Sequence, residues 1–188
     1  MTKTALRAQL RRLRRRLAAE VPDAAERVVA RLGQDSLPAF ASFAGYVAMG
    51  SELDPSLLMR QLARHARAAL PAAASRAAPF VFRAWDLAEA LRPDAFGIPS
   101  PGPSAPIIQP DLIIAPLLGF DRRGGRLGQG SGLYDRTLAE LRREKRVFVL
   151  GLAYSGQELG EAPMDPHDQR LDAILTETEF IRVATDRG

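Results

Sequence analysis

The chain contains no cysteine. Disulfides and thiolate-held metals are therefore excluded, and a reducing cytoplasm suits the composition. Aromatic residues are scarce, at 6% with a single tryptophan, and nothing in the order of residues resembles a base-reading module. Long hydrophobic runs are missing too. The longest, Leu112–Phe120, is interrupted by Pro116 and Gly119 and is far too short to span a bilayer. The N-terminus opens Met1-Thr2-Lys3 and runs into arginines rather than an apolar core, so it does not read as a secretory signal. These absences predict a soluble, cytoplasmic protein without a membrane partner.

What is present fits one globular unit. The 188 residues are 46% hydrophobic, which predicts a single domain over 1–188 around one core. Net charge is +4. The excess sits in the first turns, at Lys3, Arg7, Arg11, Arg12, Arg14, Arg15 and Arg16, with no acid before Glu20. A basic balance speaks to anionic partners rather than to fold, and polyanionic small ligands fit it as well as DNA or RNA does.

Periodicity sets out the elements. Leu6, Leu10, Leu13 and Leu17 share one face of a first helix, with arginines around the stripe. Val21-Pro22-Asp23 stops it. Asp23 with Glu26 has the form of a capping box for a second helix, with Gly33 as its C-cap. Phe40–Met49 reads as a buried strand. Asp54-Pro55 starts a helix with Leu57, Leu58, Leu62 and Ala66 on its apolar face, Asp54 being the N-cap. Phe80–Ala84 reads as a strand and the proline-dense Pro93–Pro110 as an irregular loop. Leu112–Ala115 is continuously apolar, the pattern of a strand buried on both faces. Gly132–Arg143 reads as a helix, and Arg146–Ala153 and Phe180–Ala184 as strands. Strands alternating with helices predict an α/β fold with a mostly parallel sheet.

One segment stands out chemically. Between the buried strand and the following helix lies Gly119-Phe120-Asp121-Arg122-Arg123-Gly124-Gly125-Arg126-Leu127-Gly128-Gln129-Gly130-Ser131-Gly132-Leu133-Tyr134-Asp135-Arg136. Gly128, Gly130 and Gly132 alternate, so the backbone can take positive φ and approach a ligand closely. Successive N–H groups in such a turn form an anion nest, reinforced by the helix start. Asp135 cannot bind phosphate but can hold Mg²⁺ beside it. No Gly-Lys-Ser/Thr ends the loop, and Gly-x-Gly-x-Gly is not the dinucleotide spacing. On spacing alone, a plain flexible connection accounts for the glycines equally well.

With its flanks, the segment resembles the signature of the 5-formyltetrahydrofolate cyclo-ligases, also called methenyltetrahydrofolate synthetases. Lys3-Thr4-Ala5-Leu6-Arg7 is similar to the family's N-terminal motif, and Tyr46–Asp54 to its strand ending in a glutamate. Phe96-Gly97-Ile98-Pro99, Gly151–Gln157, Pro163–Asp172 and Thr176-Glu177 are similar in order and spacing. The resemblance covers nearly the whole chain. It implies a layered α/β/α fold of NagB/RpiA/CoA-transferase-like type. It also implies ATP-dependent conversion of 5-formyltetrahydrofolate to 5,10-methenyltetrahydrofolate. ATP would phosphorylate the formyl oxygen, the neighbouring N10 would attack, and ADP and phosphate would be released.

Site roles follow from the same resemblance. Lys3, Thr4, Ala5, Leu6 and Arg7 would meet ATP from the first helix. Arg126, Leu127, Gly128, Gln129, Gly130, Ser131, Gly132, Leu133 and Tyr134 would wrap it. Gln129 to Leu133 would also face the formyl folate, together with Val47 and Glu52, whose carboxylate would take the pterin edge. Lys3, Arg126 and Tyr134 are the catalytic candidates, and Asp135 and Asp168 the Mg²⁺ ligands. The protein is expected to act as a monomer on a small molecule, without nucleic acid. Two departures stand: members commonly carry two tyrosines where Leu133 and Tyr134 stand, and Ser131 sits where glycine or lysine is frequent.

Other residues read blandly. Arg11, Arg12 and Arg14 to Arg16 form a solvated helix face or a patch that steers anionic folate. His167 in its turn reads as structural or exposed rather than as a base. Asp168 and Asp172, four apart, would share a helix face, one on Mg²⁺ and one capping. Trp85 is core or pocket wall, with a ring that could stack on folate. Two other functions stay open: a sugar-phosphate or CoA-handling enzyme using the same anion nest, and a basic nucleic-acid-binding protein using the first helix.

Overall fold

The computed structural model describes residues 2–33, 36–73, 75 and 78–184. Helix α1 (Lys3–Glu20) is the first element, and Thr2 caps it by accepting the Ala5 N–H at 3.2 Å. Leu10 is buried with Leu118 and Leu127, and Leu6 and Leu13 pack against them. The leucine stripe therefore docks as its spacing predicts. Helix α2 (Ala24–Arg31) begins at Asp23, which makes no side-chain cap bond, and it ends on Leu32. The capping box does not form, because Asp23 has ψ near 17° instead of the extended backbone that aims a cap oxygen at the first turn.

Eight strands form one sheet in the order β12-β11-β10-β7-β1-β2-β3-β6. The centre is parallel: β1 (Ser42–Ala44) lies between β2 (Arg67–Ala72) and β7 (Leu112–Pro116), with β10 (Phe148–Leu152) and β11 (Ala173–Leu175) beyond β7. Both margins turn antiparallel, through β3 (Val81–Ala84) and β6 (Ile107–Ile108) on one side and β12 (Phe180–Arg182) on the other. Alternate residues feed two cores. Phe43, Leu112, Ile114 and Leu150 face α2 and α3 (Ser56–Leu62), while Ala44, Ile113, Val149 and Ile174 face α4 (Leu133–Glu144). This is the expected layered α/β/α arrangement.

Several elements differ from expectation. The strand foreseen over Phe40–Met49 covers Ser42–Ala44 alone: Gly45 N–H still reaches Ala69 O at 3.0 Å, and residues 45–49 continue without regular structure. Asp54 acts as foreseen at the start of α3, its Oδ1 accepting from Ser56 N at 2.9 Å, although the formal cap is Pro55. The proline-dense stretch is not wholly irregular. It holds β4 (Arg92–Pro93) paired with β5 (Pro99–Ser100), and also β6. Strands β2 and β11 were not foreseen. The first is alanine-rich and contains Pro71, the second is three residues long, and both gain their character from neighbours in the sheet. A short hairpin pairs β8 (Gly119–Phe120) with β9 (Arg126–Leu127). No helix among the described residues is long and apolar enough to cross a membrane.

Candidate functional site

The strands of a parallel sheet all deliver their C-terminal ends to one edge, where ligands of such folds collect. Here Tyr46 and Val47 follow β1, Pro71 lies near the end of β2, and Pro116 ends β7. All of them line one cavity of about 360 Å³. The glycine loop from β9 into α4 forms another wall, α1 a third, and the turn around Asp168 a fourth.

The loop owes its shape to backbone that only glycine adopts freely. Gly130 and Gly132 have φ of 106° and 67°. Gly132 is the N-cap of α4, so the helix start, with its partial positive charge, opens toward the cavity beside Asp135 in the first turn. Helix α1 holds the loop from outside. Arg7 Nε donates to Gly128 O at 3.0 Å, and Arg11 donates to Gln129 through Oε1 at 3.0 Å and the carbonyl at 3.2 Å.

Arg126 and Tyr134 form the inner wall. The Arg126 guanidinium lies 5.5 Å from the centre of the Tyr134 ring, and Phe80 meets the same ring edge-on at 5.2 Å. Burial pushes the Tyr134 hydroxyl pKa up; nearby Arg126 works against this and Glu52 with it. Arg126 also donates to Asp135 at 2.8 Å, and the Gln169 N–H reaches the same oxygen at 3.1 Å. The Asp135 carboxylate is thus already engaged by a cation of the protein.

Lys3 closes the opposite end. Its Nζ lies 2.7 Å from Asp165 and 3.1 Å from Asp168. Partial burial lowers its pKa, but bonds to both carboxylates outweigh that and the net shift is upward. For Asp168, desolvation raises the pKa, yet the Asp165 N–H and Lys3 hold it below the usual carboxylate range. Asp165, His167 and Asp168 present ligand atoms within 4.8 Å of one another, a grouping that does not include Asp135.

Of the residues expected from sequence, Lys3, Arg7, Val47, Glu52, the run from Arg126 to Asp135, and Asp168 all line the cavity. Thr4, Ala5 and Leu6 do not. Thr4 and Ala5 are exposed, and Leu6 packs on the small core beneath α1, because a helix can turn only one face to a site. Asp168 and Asp172 share no helix, because the chain from 167 to 172 runs through a turn and then without regular structure. Asp172 instead accepts from Val149 N and Arg142. Trp85 lies off the cavity, over a separate depression beside α3, with its indole N–H on Glu89 O. Arg14 is not solvated: it is 6% exposed and paired with Glu52.

Sequence reasoning missed other walls, among them Tyr46, Met49, Phe80 and Asp94. Phe80 and Asp94 carry no motif and arrive from separate loops. Tyr46 and Met49 were visible as neighbours of Val47 but were assigned to the strand interior.

The glycine-lined helix start, basic helix and facing carboxylates define an α/β protein with a polar cavity at the C-terminal edge of its sheet. The chain belongs to the 5-formyltetrahydrofolate cyclo-ligase family, whose model matches residues 1–177. A 5-formyltetrahydrofolate cyclo-ligase of Mycolicibacterium smegmatis is 34% identical over 143 residues, 70% of this chain and 71% of that protein. The mouse (Mus musculus) 5-formyltetrahydrofolate cyclo-ligase is 41% identical over 69 residues, 36% of this chain. That match spans only 34% of the mouse protein, and for several relatives the matched part stays below two thirds of their length. Among solved structures, the 5,10-methenyltetrahydrofolate synthetase of Aquifex aeolicus superposes with a TM-score of 0.78 at 26% identity, covering 100% of this chain and 96% of that one.

Proposed function

We propose that the protein converts 5-formyltetrahydrofolate to 5,10-methenyltetrahydrofolate in an ATP-dependent reaction that releases ADP and phosphate. One observation carries the reading. Gln129, in the glycine loop, donates to Glu52 at 3.3 Å. The anion cradle and the acceptor suited to an amino-pyrimidinone edge are therefore direct neighbours in one cavity. A phosphate held by the loop would lie beside a pterin held by Glu52.

The residues suit the chemistry. A formyl amide oxygen is a poor nucleophile and a poor leaving group, so positioning and charge neutralisation carry most of the work. Lys3, Arg7 and Arg126 supply fixed positive charge around the loop. Phosphorylation of the formyl oxygen makes the formyl carbon electrophilic. N10 of the folate then attacks that carbon and gives up its proton to solvent, the C–O bond breaks, and phosphate departs. Tyr134 keeps its proton and offers a neutral hydroxyl and a ring face.

Mg²⁺ fits the donor set, since hard carboxylate oxygens line the cavity next to the loop. Asp168 would hold it, beside Asp165 and His167, and Asp135 would join through the oxygen that Arg126 and Gln169 leave free; when bound it would neutralise phosphate charge. In this reading the chain is one domain, a monomer of the cytoplasm that binds neither nucleic acid nor membrane.

The reading is tested by phosphate release in a coupled assay. The expected result is one phosphate per 5-formyltetrahydrofolate consumed, with none when either the folate or ATP is omitted. Equal phosphate release without the folate would refute it.

A further inference from the structure

Four cations of α1, Lys3, Arg7, Arg11 and Arg14, follow one another at spacings of four, four and three, which places them along one helix face. Together they meet three parts of the site. Lys3 meets the aspartates, Arg7 and Arg11 meet the glycine loop, and Arg14 meets Glu52. The first three bonds are partly or wholly solvent-exposed; Arg14 has lost nearly all contact with water. Its Nε donates to Ser51 Oγ at 3.2 Å, and one terminal nitrogen donates to Glu52 Oε1 and Leu117 O, both at 3.3 Å. Arg14 does not line the cavity, whereas Glu52 does.

Burying a guanidinium is costly unless it is paired. A hydrophobic residue would join α1 to the sheet edge without that cost. The arrangement makes sense if the pair serves the carboxylate. Glu52 Oε2 takes the Met49 N–H at 3.1 Å, and Oε1 takes Arg14 and Gln129. A carboxylate has about four acceptor positions, so one is left open, and a second is taken only by the exposed Gln129 amide, which a ligand could displace. The Arg14 bond, at 3.3 Å, fixes the orientation of the carboxylate.

We propose that Arg14 is a positioning residue: from behind the cavity wall it holds the Glu52 carboxylate aimed into the cavity, and so sets affinity for the amino-pyrimidinone edge of the folate. This rests on the proposed function and adds a residue to it. Arg14 touches no substrate and acts through Glu52.

The test is titration calorimetry of 5-formyltetrahydrofolate with the full chain, alongside steady-state kinetics. Arg14→Met is expected to weaken folate binding and raise its KM tenfold or more, with the KM for ATP within twofold. Arg14→Lys, which keeps the charge but cannot fork, is expected to recover part of the loss. In a Glu52→Gln background, Arg14→Met is expected to weaken binding less than twofold further. If Arg14→Met fails to fold, Arg14→Lys and Arg14→Gln carry the same cycle. Equal folate affinity in wild type and variants, or an Arg14 effect that persists undiminished without the Glu52 carboxylate, overturns the inference alone. A folded wild-type protein that binds no folate overturns the functional reading and the inference with it.

Discussion

Arg126 and Asp135 form an ion pair of 2.8 Å at the inner wall of the cavity, with the Arg126 side chain almost wholly shielded from solvent. The pair is incompletely satisfied. Arg126 Nε is buried and has no hydrogen-bond partner among the described residues. A buried donor left over in a residue that lines a cavity is a ready partner for a phosphate oxygen. Asp135 keeps the guanidinium in place meanwhile, and the Tyr134 ring flanks it.

Asp135→Asn is therefore expected to act twice, by loosening Arg126 and by removing a carboxylate from the proposed Mg²⁺ site. Turnover should fall roughly 10- to 100-fold, the usual cost of losing a group that supports a metal site. The Mg²⁺ concentration needed for half-maximal rate should rise with it. An unchanged Mg²⁺ dependence would remove Asp135 from the metal site and leave it only the Arg126 contact.

Asp121 lies in the same motif but has a different task. It is buried and accepts the N–H groups of Arg123, Gly125 and Ala162 at 2.8 to 2.9 Å. Asp121→Ala would leave those donors without their acceptor, at a cost of about 2–4 kcal/mol. Thermal unfolding should shift down by roughly 5–15 °C, while the KM values measured well below the transition stay near wild type. A large KM change without loss of stability would contradict this division of the motif.

The buried tyrosines predict alkaline sensitivity. Burial is the main cause that pushes the hydroxyl pKa of Tyr46 and of Tyr134 upward, with Glu52 adding to both. Below about pH 10 both folded and unfolded chains keep these protons, so the contribution to stability is complete. Above it the unfolded chain ionises and the folded one does not, so stability falls by up to about 1.4 kcal/mol per pH unit for each tyrosine. Urea unfolding between pH 8 and pH 11 should show the decline, and Tyr134→Phe should flatten it. The same alkaline slope in the variant would assign the decline to other groups.

Much of this site was legible in the sequence for physical reasons that can be named. The glycine spacing signals backbone freedom, and a helix start after a buried strand signals an anion cradle. Both lie within a few residues of each other. Glu52 and Asp168 were reached through family likeness, since a lone carboxylate carries no local signal. Arg14 was misjudged because six of the first sixteen residues are arginine and charges on a helix are ordinarily solvated. What buries this one is the Leu117 carbonyl and the Glu52 carboxylate, which lie 103 and 38 positions away. Strand β2 escaped notice for a related reason: Ala68, Ala69 and Ala72 have no strand preference of their own, and only β1 and β3 on either side make them one.

The central claim is that Glu52 and the glycine loop bring a folate and a phosphate donor together for ring closure. The most direct measurement is near-ultraviolet absorbance of purified protein with 5-formyltetrahydrofolate, ATP and Mg²⁺. The account predicts that the absorbance band of 5,10-methenyltetrahydrofolate grows with time, and that it does not grow when ATP or Mg²⁺ is left out. A properly folded protein that produces no such band with all three present would contradict it.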